Sequence, residues 1–304
     1  MVNKIVGIGA CVMDTLLTVP NYPDEDTKMQ AVSSKTAGGG PCATGLVAAS
    51  KLGVSSGFIG NLSDDNSGKF LLEDFQKYNV DTKNITVKNG YRSFASVIWL
   101  GKNKATRTCV YDRGNLPELD IDEEKAEAIK NADILMVDGN ELKGAIKGAK
   151  IAKESNTKVL YDCGGLYEGV EELLKLTDIM IPSEEFALKH THSEDVSVAA
   201  KKLMEKYNPQ VVVITCGKEG GLYYDGNKMF FYPAFKVQAV DTNGSGDVFH
   251  GAFAAGVVHG YDYKQCCYFA SATSAIKCLG VGARESVPDY KTVIEFLKEN
   301  GYEL

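Results

Sequence analysis

The sequence predicts an α/β fold in which a doubly wound, mostly parallel sheet is flanked by helices and carries a small β-sheet lid. Two observations predict the main sheet: short apolar runs alternate with helical patterns, and the runs are continuous, as in strands buried on both faces. A third observation predicts the lid, because two segments interrupt that alternation. The length of 304 residues is compatible with one large α/β domain or two ordinary ones.

Six apolar runs are the predicted buried strands, at residues 5–10, 57–62, 134–138, 159–162, 179–182 and 211–215. Helical patterns lie between them at residues 41–52 and at about 140–155, 168–175, 184–190 and 195–207. Pro41 suits a first helical turn and Gly53 a C-terminal stop. Alternation of this kind is typical of a doubly wound domain, in which ligands bind at the carboxyl ends of the strands.

The two interrupting segments lie at about 11–36 and 90–113. In the first, a short strand at 15–19 is followed by a polar loop rich in Pro and Asp. In the second, residues 94–100 and 106–111 flank Gly101-Lys102-Asn103-Lys104, which predicts a β-hairpin. We expect one domain over residues 1–304, with these insertions forming a lid over the carboxyl edge of the sheet.

Composition narrows the class of protein. A net charge of −7 and a pI near 5.3 argue against a general nucleic-acid binder. The eight cysteines form neither a CxxC pair nor a Cys/His cluster, which favours reduced thiols over a zinc site or a disulfide framework. The N-terminal run MVNKIVGIGA lacks the longer apolar stretch and the small-residue cleavage site expected of a signal peptide, and no run approaches the roughly 18 apolar residues of a membrane span. We expect a cytoplasmic protein without a nucleic-acid or membrane partner.

The most informative segment is residues 240–256, where Gly244-Ser245-Gly246-Asp247 precedes an apolar, small-residue helix at 248–258. Such a turn presents bare backbone amides at a helix N-terminus, which is an anion site. A carboxylate at the same place can take a proton from an attacking hydroxyl. The simpler alternative is an Asp that merely complements the helix dipole.

The full Asp-Thr-x-Gly-x-Gly-Asp string, residues 241–247, is far more specific, and here the sequence resembles the ribokinase-like, or PfkB, sugar kinases. The resemblance implies a ribokinase-like fold, ATP as phosphoryl donor, an anion hole at Gly244, Ser245 and Gly246, and Asp247 as the base that activates a substrate hydroxyl.

A second resemblance lies in the glycine turn at residues 38–45, which is not a Walker A loop because no Gly-Lys-Ser/Thr follows. The resemblance implies sugar binding by Gly39, Gly40 and Thr44, the last in place of a common asparagine, and by Asp14 after the first strand. A loop Asp that caps a turn is the alternative for Asp14.

The resemblance also implies a nucleotide site. Thr215, Gly217 and Gly220 follow an apolar strand at the place where relatives contact the phosphates and ribose of ATP, and Gly282 lies in the tail that completes the adenine pocket.

Two cations are implied as well. Asp241 and Asn243, with the loop near Gly282, match where many relatives bind a monovalent cation such as K+. Mg2+ follows from ATP chemistry. The usual Asn-x-x-Glu motif is replaced by Ser183-Glu184-Glu185-Phe186, so Glu185, Glu184 or Asp162 is the candidate carboxylate, and a simple helix start is the alternative.

The lid hairpin suggests the substrate. It holds five cations, Arg92, Lys102, Lys104, Arg107 and Arg113, against a single acidic residue, Asp112. Arg113 is the best candidate to hold a phosphate, carboxylate or sulfonate of an anionic substrate. The glycine turn at residues 38–45, with Val12-Met13-Asp14, resembles family members that act on fructose-type or sulfonated-fructose substrates. The alternative is that the lysines of the hairpin only prevent an exposed strand edge from pairing with another strand.

Two other functions stay open. A nucleoside or vitamin kinase of the same fold would use Phe94 and Trp99 for stacking, and a non-catalytic sugar or nucleotide sensor would need no base. Exposed apolar positions on the lid, such as Val97 and Trp99, favour a homodimer through the lid.

Overall fold

The computed structural model describes residues 2–102 and 106–304. Lys104 and Asn103, at the predicted hairpin turn, lie outside the described residues. The strands of the described chain are, in order, β1 (Ile5–Ile8), β2 (Val12–Val19), β3 (Ser33–Gly39), β4 (Ser56–Phe58), β5 (Gly60–Ser63), β6 (Val80–Asp81), β7 (Ile85–Lys88), β8 (Ala95–Gly101), β9 (Thr106–Asp112), β10 (Ile134–Val137), β11 (Lys158–Cys163), β12 (Ile179–Pro182), β13 (Val211–Thr215), β14 (Gly221–Tyr224) and β15 (Met229–Tyr232).

The described residues form ten helices, of which six lie where the sequence predicts them and four, at 66–77, 123–130, 263–277 and 290–299, lie in stretches for which no helix bounds were predicted. They are α1 (Pro41–Lys51), α2 (Asn66–Lys77), α3 (Glu123–Lys130), α4 (Leu142–Lys153), α5 (Val170–Leu174), α6 (Glu184–Thr191), α7 (Val196–Tyr207), α8 (Ser245–Val258), α9 (Tyr263–Lys277) and α10 (Tyr290–Glu299). No helix in the described part of the chain is long and apolar enough to cross a membrane.

A nine-stranded sheet forms the centre of the molecule, with the order β15-β14-β13-β12-β11-β10-β1-β4-β6. The seven strands from β13 to β6 are parallel, and β14 and β15 add an antiparallel edge. Two apolar clusters cover its two faces, one with α1, α8 and α9 and the other with α4 and α7. The predicted doubly wound, mostly parallel architecture is confirmed.

The small sheet has four strands in the order β3-β2-β8-β9. Its central pair, β2 and β8, is parallel, while β2 with β3 and β8 with β9 are antiparallel. The polar segment that was predicted as a loop at 33–36 is part of β3. Treating residues 1–304 as one domain with an inserted lid remains a prediction.

The structure also differs from the prediction at two places, one in the main sheet and one at the start of α8. The predicted strand at 57–62 is split, because β4 joins the large sheet while β5 pairs with β7 in a separate two-stranded sheet. Helix α8 begins at Ser245, so Asp247 lies inside its first turn.

Candidate active site

The N-termini of α1 and α8 lie side by side because the two helices contact each other through glycines. A Cβ atom at Gly251 of α8 would overlap the carbonyl oxygen of Gly45 of α1, and one at Gly45 would lie 3.3 Å from the carbonyl oxygen of Asp247. This close packing brings the glycine turn before α1 next to the first turn of α8. Two motifs about 200 residues apart therefore form one site.

The turn before α1 is built for close backbone approach. Gly40 caps α1 with a φ of 93°, and a side chain there would overlap the carbonyl oxygen of Ala10. A Cβ at Gly39 would overlap the carboxylate of Asp14. Asp14 Oδ1 also accepts a hydrogen bond from Ser96 Oγ at 2.6 Å. The structure thus places Asp14, Gly39 and Gly40 together, as their predicted role requires.

Burial has the largest effect on the pKa of Asp14 and raises it. The hydrogen bond from Ser96 and the guanidinium of Arg284 lower this pKa by smaller amounts. One carboxylate oxygen of Asp14 therefore accepts the hydrogen bond from Ser96, and the other lies against Gly39.

Two buried charged residues hold this turn, and the sequence did not single out either of them. Asp138, just after β10, accepts hydrogen bonds from the amides of Ala10 at 2.8 Å and Cys42 at 3.0 Å. Arg284 donates to the carbonyl oxygen of Gly39 at 2.7 Å and pairs with Asp74. The turn is therefore fixed from both sides by side chains that come from other elements.

Thr44, predicted to bind the sugar, is fully buried between the two turns. Its side chain has no exposed surface, and its hydroxyl accepts a contact from Arg284 Nε at 3.4 Å. Its methyl group would lie 3.7 Å from a Cβ at Gly244, so it packs between the two turns. Thr44 thus contributes to the packing of the two turns and to the contact with Arg284.

The first turn of α8 and its N-cap contain the three residues of the predicted anion hole, Gly244, Ser245 and Gly246. Gly244 caps the helix with a φ of 73°. The Ser245 amide donates to the carbonyl oxygen of Thr242 at 3.2 Å. Within the described residues, the amides of Gly246 and Asp247 have no such acceptor, and no atom lies within 4 Å of a Cβ at Gly246. Gly246 and Asp247, more than Ser245, offer free donors.

Asp247 is half-buried, and its surroundings disfavour a negative charge. Burial, followed by the carboxylate of Asp162, raises its pKa to about 7, against the opposing effects of His250 and Arg107. A carboxylate with a pKa near neutrality can exchange a proton at physiological pH, which is the property that a general base needs.

Asp162 and His250 are buried close to Asp247. His250 Nδ1 lies 2.6 Å from the carbonyl oxygen of Gly246 and 3.2 Å from Asp162 Oδ2, and its Nε2 lies 3.1 Å from the carbonyl oxygen of Ile181. Burial raises the pKa of Asp162 and lowers that of His250, so both changes favour the uncharged forms. Asp162, one of the alternative carboxylates for Mg2+, therefore lies beside His250 in the buried interior.

A cavity of about 600 Å³ opens beside Gly246. Its lining includes five of the residues predicted from the sequence, namely Thr215, Gly217, Gly220, Ser245 and Gly246. Gly217 and Gly220 have φ values of 57° and 88° in the short turn after β13. The structure therefore brings the predicted phosphate-binding and nucleotide-binding turns to one cavity.

Gly282 lies outside that lining. Its amide donates to Asp241 Oδ2 at 2.9 Å, and the amide of Asn243 donates to Asp241 Oδ1 at 2.9 Å. Asn243 Oδ1 in turn accepts from Arg107 Nη1 of the lid strand β9 at 2.8 Å. Arg107 thus reaches from the lid to the anion-hole loop, which the sequence alone did not predict.

The predicted Mg2+ residue Glu185 points elsewhere. It pairs with Lys189 at 2.5 Å on the exposed side of α6. Its neighbour Glu184 follows Ser183, which forms a parallel bridge with Thr215 at the end of β13, so Glu184 begins α6 next to the turn after β13. Within the described chain, no group of three His, Cys, Asp or Glu side chains could hold a metal ion.

Arg113 lies at a second, smaller cavity of about 200 Å³ at the carboxyl ends of β1 and β10. Its guanidinium donates to Asn140 Oδ1 at 3.1 Å and lies over the ring of Phe94 at 5.7 Å. No carboxylate of the described residues lies within 4 Å of it. Glu141 lines the same cavity, and burial raises its pKa, which favours its neutral form.

A carboxylate with a raised pKa beside free amides at a helix N-terminus, next to a cavity of about 600 Å³ and a glycine turn, suits phosphoryl transfer in an α/β enzyme. The model of the pfkB family of carbohydrate kinases matches residues 2–290. The chain therefore belongs to the pfkB carbohydrate kinase family.

Individual proteins that are similar to this chain are also sugar kinases by name. The chain is 27% identical to a ribokinase of Haemophilus influenzae over 304 residues, with 98% of this chain and 99% of that protein covered. It is 28% identical to a 5-dehydro-2-deoxygluconokinase of Clostridium botulinum over 319 residues, with 97% and 93% covered. The structure of Arabidopsis thaliana ribokinase complexed with ribose and ATP has a TM-score of 0.89 at 26% identity, with 98% and 99% covered.

The protein is thus an ATP-dependent kinase that phosphorylates a hydroxyl of a sugar or sugar derivative. Family membership favours this activity over the alternative of a non-catalytic sensor.

Proposed function

We propose that Asp247 deprotonates a hydroxyl of an anionic sugar derivative, with fructose-type sugars among the candidates, and that the oxygen then attacks the γ-phosphate of ATP. One observation carries the catalytic part of this proposal: the half-buried carboxylate of Asp247, with a pKa of about 7, lies at the free amides of α8 and beside the glycine turn of α1.

The reaction follows from that geometry. The hydroxyl proton passes to Asp247, and the hydroxyl oxygen forms a bond to the γ-phosphorus. The bond from that phosphorus to the bridging oxygen breaks, and ADP leaves. The amides of Gly246 and Asp247, held by the turn at Gly244 and Ser245, would stabilise the charge on the transferring group.

Mg2+ would neutralise charge on the ATP phosphates when bound. The described residues fit an ion held mainly by phosphates and water, since they offer no cluster of three protein ligands. Glu184, beside the nucleotide turn, is better placed than the predicted Glu185 to orient such water.

Arg113 supports an anionic substrate. Its guanidinium is fixed by Asn140 and Phe94 at the carboxyl edge of the sheet, yet no carboxylate neutralises it among the residues described. A planar cation held in this way suits a carboxylate, phosphate or sulfonate. The relative named 5-dehydro-2-deoxygluconokinase is named for a sugar acid, which is consistent with an anionic acceptor.

The base is tested by the release of ADP from Asp247→Asn with a panel of neutral and anionic sugars. We expect the variant to lose most of its turnover while ATP binding, measured by calorimetry, stays near that of the wild type. Activity close to the wild type would show that another group accepts the proton.

The substrate class is tested with Arg113→Ala on the same panel. We expect the KM of anionic sugars to rise about 10- to 100-fold while that of neutral sugars is unchanged. Arg92→Ala is the matched control, because Arg92 is also an exposed lid cation but is already paired with Asp112 at 3.6 Å. A preference of the wild type for neutral sugars would refute the anionic assignment.

A homodimer through the lid is also proposed. Val97 and Val110 lie opposite each other on β8 and β9, with 40% and 63% of their surface exposed. A second lid would bury these side chains. Sedimentation of the protein as a monomer at micromolar concentration would contradict it. We further propose a cytoplasmic location, supported by eight cysteines that are all free thiols.

A further inference from the structure

A buried ammonium group lies behind the anion hole. Lys277 is the last residue of α9, and its side chain has no exposed surface. Its Nζ donates to the main-chain carbonyl oxygen of Asp241 at 2.8 Å. Within the part of the chain that the structure describes, no carboxylate lies close enough to form an ion pair with it. An ammonium buried in this way is costly, so its presence calls for a physical reason.

The carbonyl that Lys277 holds belongs to the loop that leads into the anion hole. The amides of Val240 and Asp241 donate to the carbonyl oxygen of Cys278, so the start of this loop is tied to the end of α9. The loop then runs through residues 242–244 into the first turn of α8. Lys277 therefore sets both the position of the loop and the electrostatic potential behind it.

Lys277 is also close enough to the reacting groups to interact with them. Burial lowers its pKa, and the negative charges of Asp241 and then Asp247 are among the groups that act against this decrease. A positive charge on this side of the anion hole favours the negative charge that collects on a transferring phosphoryl group.

The residues that the sequence assigned to a monovalent cation do not fit one. A K+ site needs several oxygen atoms directed to one point. Both carboxylate oxygens of Asp241 accept from amides, those of Asn243 and Gly282. Asn243 Oδ1 accepts from Arg107, and the main-chain oxygen of Asp241 accepts from Lys277. Each of these oxygens already faces an N–H donor.

We propose that the ammonium of Lys277 takes the place of a monovalent cation behind the anion hole, so that this kinase needs no K+. Lys277 is then a positioning residue, which acts on the transferring group through the loop at residues 241–244. Because the ammonium is covalently tethered, its occupancy is independent of the ions in solution.

The first test replaces Lys277 with Met and with Gln. Met removes the charge and the hydrogen bond, whereas Gln removes the charge and keeps a donor for Asp241. ADP release is measured in choline chloride and then in KCl at constant ionic strength. We expect wild-type kcat to be the same in both salts and both variants to lose about 10- to 100-fold in choline chloride. KCl should then raise the kcat of each variant at least about threefold above its value in choline chloride.

Lys51→Met is the matched control. Lys51 is a half-buried lysine that donates to the carbonyl oxygens of Arg284 at 3.3 Å and Glu285 at 2.9 Å. It holds a nearby loop but does not lie behind the anion hole. Its variant should show the same kcat in choline chloride and in KCl, so a K+ response there would refute the specific role of Lys277.

The inference rests on the kinase activity, so a second readout avoids catalysis. The melting temperature of the ligand-free variants is followed as KCl replaces choline chloride. We expect K+ to raise the melting temperature of Lys277→Met and Lys277→Gln but not that of the wild type. Three results would overturn the proposal: a wild type that needs K+, variants with full activity in choline chloride, or folded variants that respond to K+ in neither measurement. Absence of ADP release from the wild type with every sugar would instead contradict the proposed function, and the melting experiment would still decide the role of Lys277.

Discussion

The replacement of Asp247 by Asn should stabilise the folded protein at pH 8 while it removes activity. Burial, followed by the Asp162 carboxylate, raises the pKa of Asp247 from 3.8 to about 7. The folded state then binds the proton more tightly than the unfolded state. The contribution of Asp247 to stability therefore falls as the pH rises from 3.8 to about 7, and it stays at its lower level above pH 7.

The size of the effect follows from that change in pKa. One pKa unit corresponds to about 1.4 kcal/mol, so the ionised carboxylate costs the folded protein up to roughly 4 kcal/mol. The carboxylate is only half-buried, and water screens part of this cost. We therefore expect Asp247→Asn to raise the free energy of unfolding by about 1 to 3 kcal/mol at pH 8, and by less at pH 5.

Urea denaturation of both proteins at pH 5 and pH 8 measures the difference. A net charge of −7 means that removing any carboxylate could stabilise the protein, so a control is needed. Asp289→Asn provides it: Asp289 caps α10 and accepts from the Thr292 amide, which lowers its pKa, and Asn preserves the cap. The free energy of unfolding of Asp289→Asn should not exceed that of the wild type at pH 8. An Asp247→Asn variant less stable than the wild type at pH 8, or one with an equal gain at pH 5, would refute the reasoning.

Three further predictions concern the same site. The wild-type kcat/KM should rise with pH and level off above about pH 7, because only ionised Asp247 accepts the proton; a flat profile from pH 5.5 to 8.5 would contradict this. Gly251→Ala should lower kcat/KM about tenfold and cost about 1 to 3 kcal/mol in urea denaturation, since the new Cβ would overlap the carbonyl oxygen of Gly45; unchanged kinetics would show that α1 and α8 can separate freely. Arg284→Met should cost about 3 to 5 kcal/mol because it leaves Asp74 buried without its partner; a double variant with Asp74→Asn should recover part of this loss, and strict additivity would disprove the coupling.

The sequence was most informative where structure is local. The strands at 179–182 and 211–215 have the bounds that the apolar runs predicted, because strands buried on both faces are apolar throughout. The start of β3 was not predicted as a strand, because its residues are not apolar. Its first four residues are exposed and polar, and the partner that makes it a strand is β2, some 20 residues earlier. Pairing of that kind leaves no periodic signal in the segment itself.

The same distinction holds in the site. Gly40, Gly244 and Asp247 lie in short motifs, so their spacing was enough to predict their place. Asp138 could have been found, because it follows a predicted strand at the edge where ligands bind. The pairing of Asp162 with His250 could not, because it joins β11 to α8 through side chains 88 residues apart in the sequence.

The buried cations Arg284 and Lys277 show why such residues escape a motif search. A turn that must let a ligand approach its backbone consists of glycines, and glycines have no side chains with which to anchor themselves. The anchor must then come from elsewhere and bind the backbone carbonyl oxygens. Arg284 donates to Gly39 at 2.7 Å from 245 residues away, and Lys277 donates to Asp241 at 2.8 Å from 36 residues away. A cation suits this task because it binds a carbonyl oxygen and also places positive charge behind amides that face an anionic ligand. The features that make the two turns recognisable in the sequence are therefore the same features that require distant, unrecognisable partners.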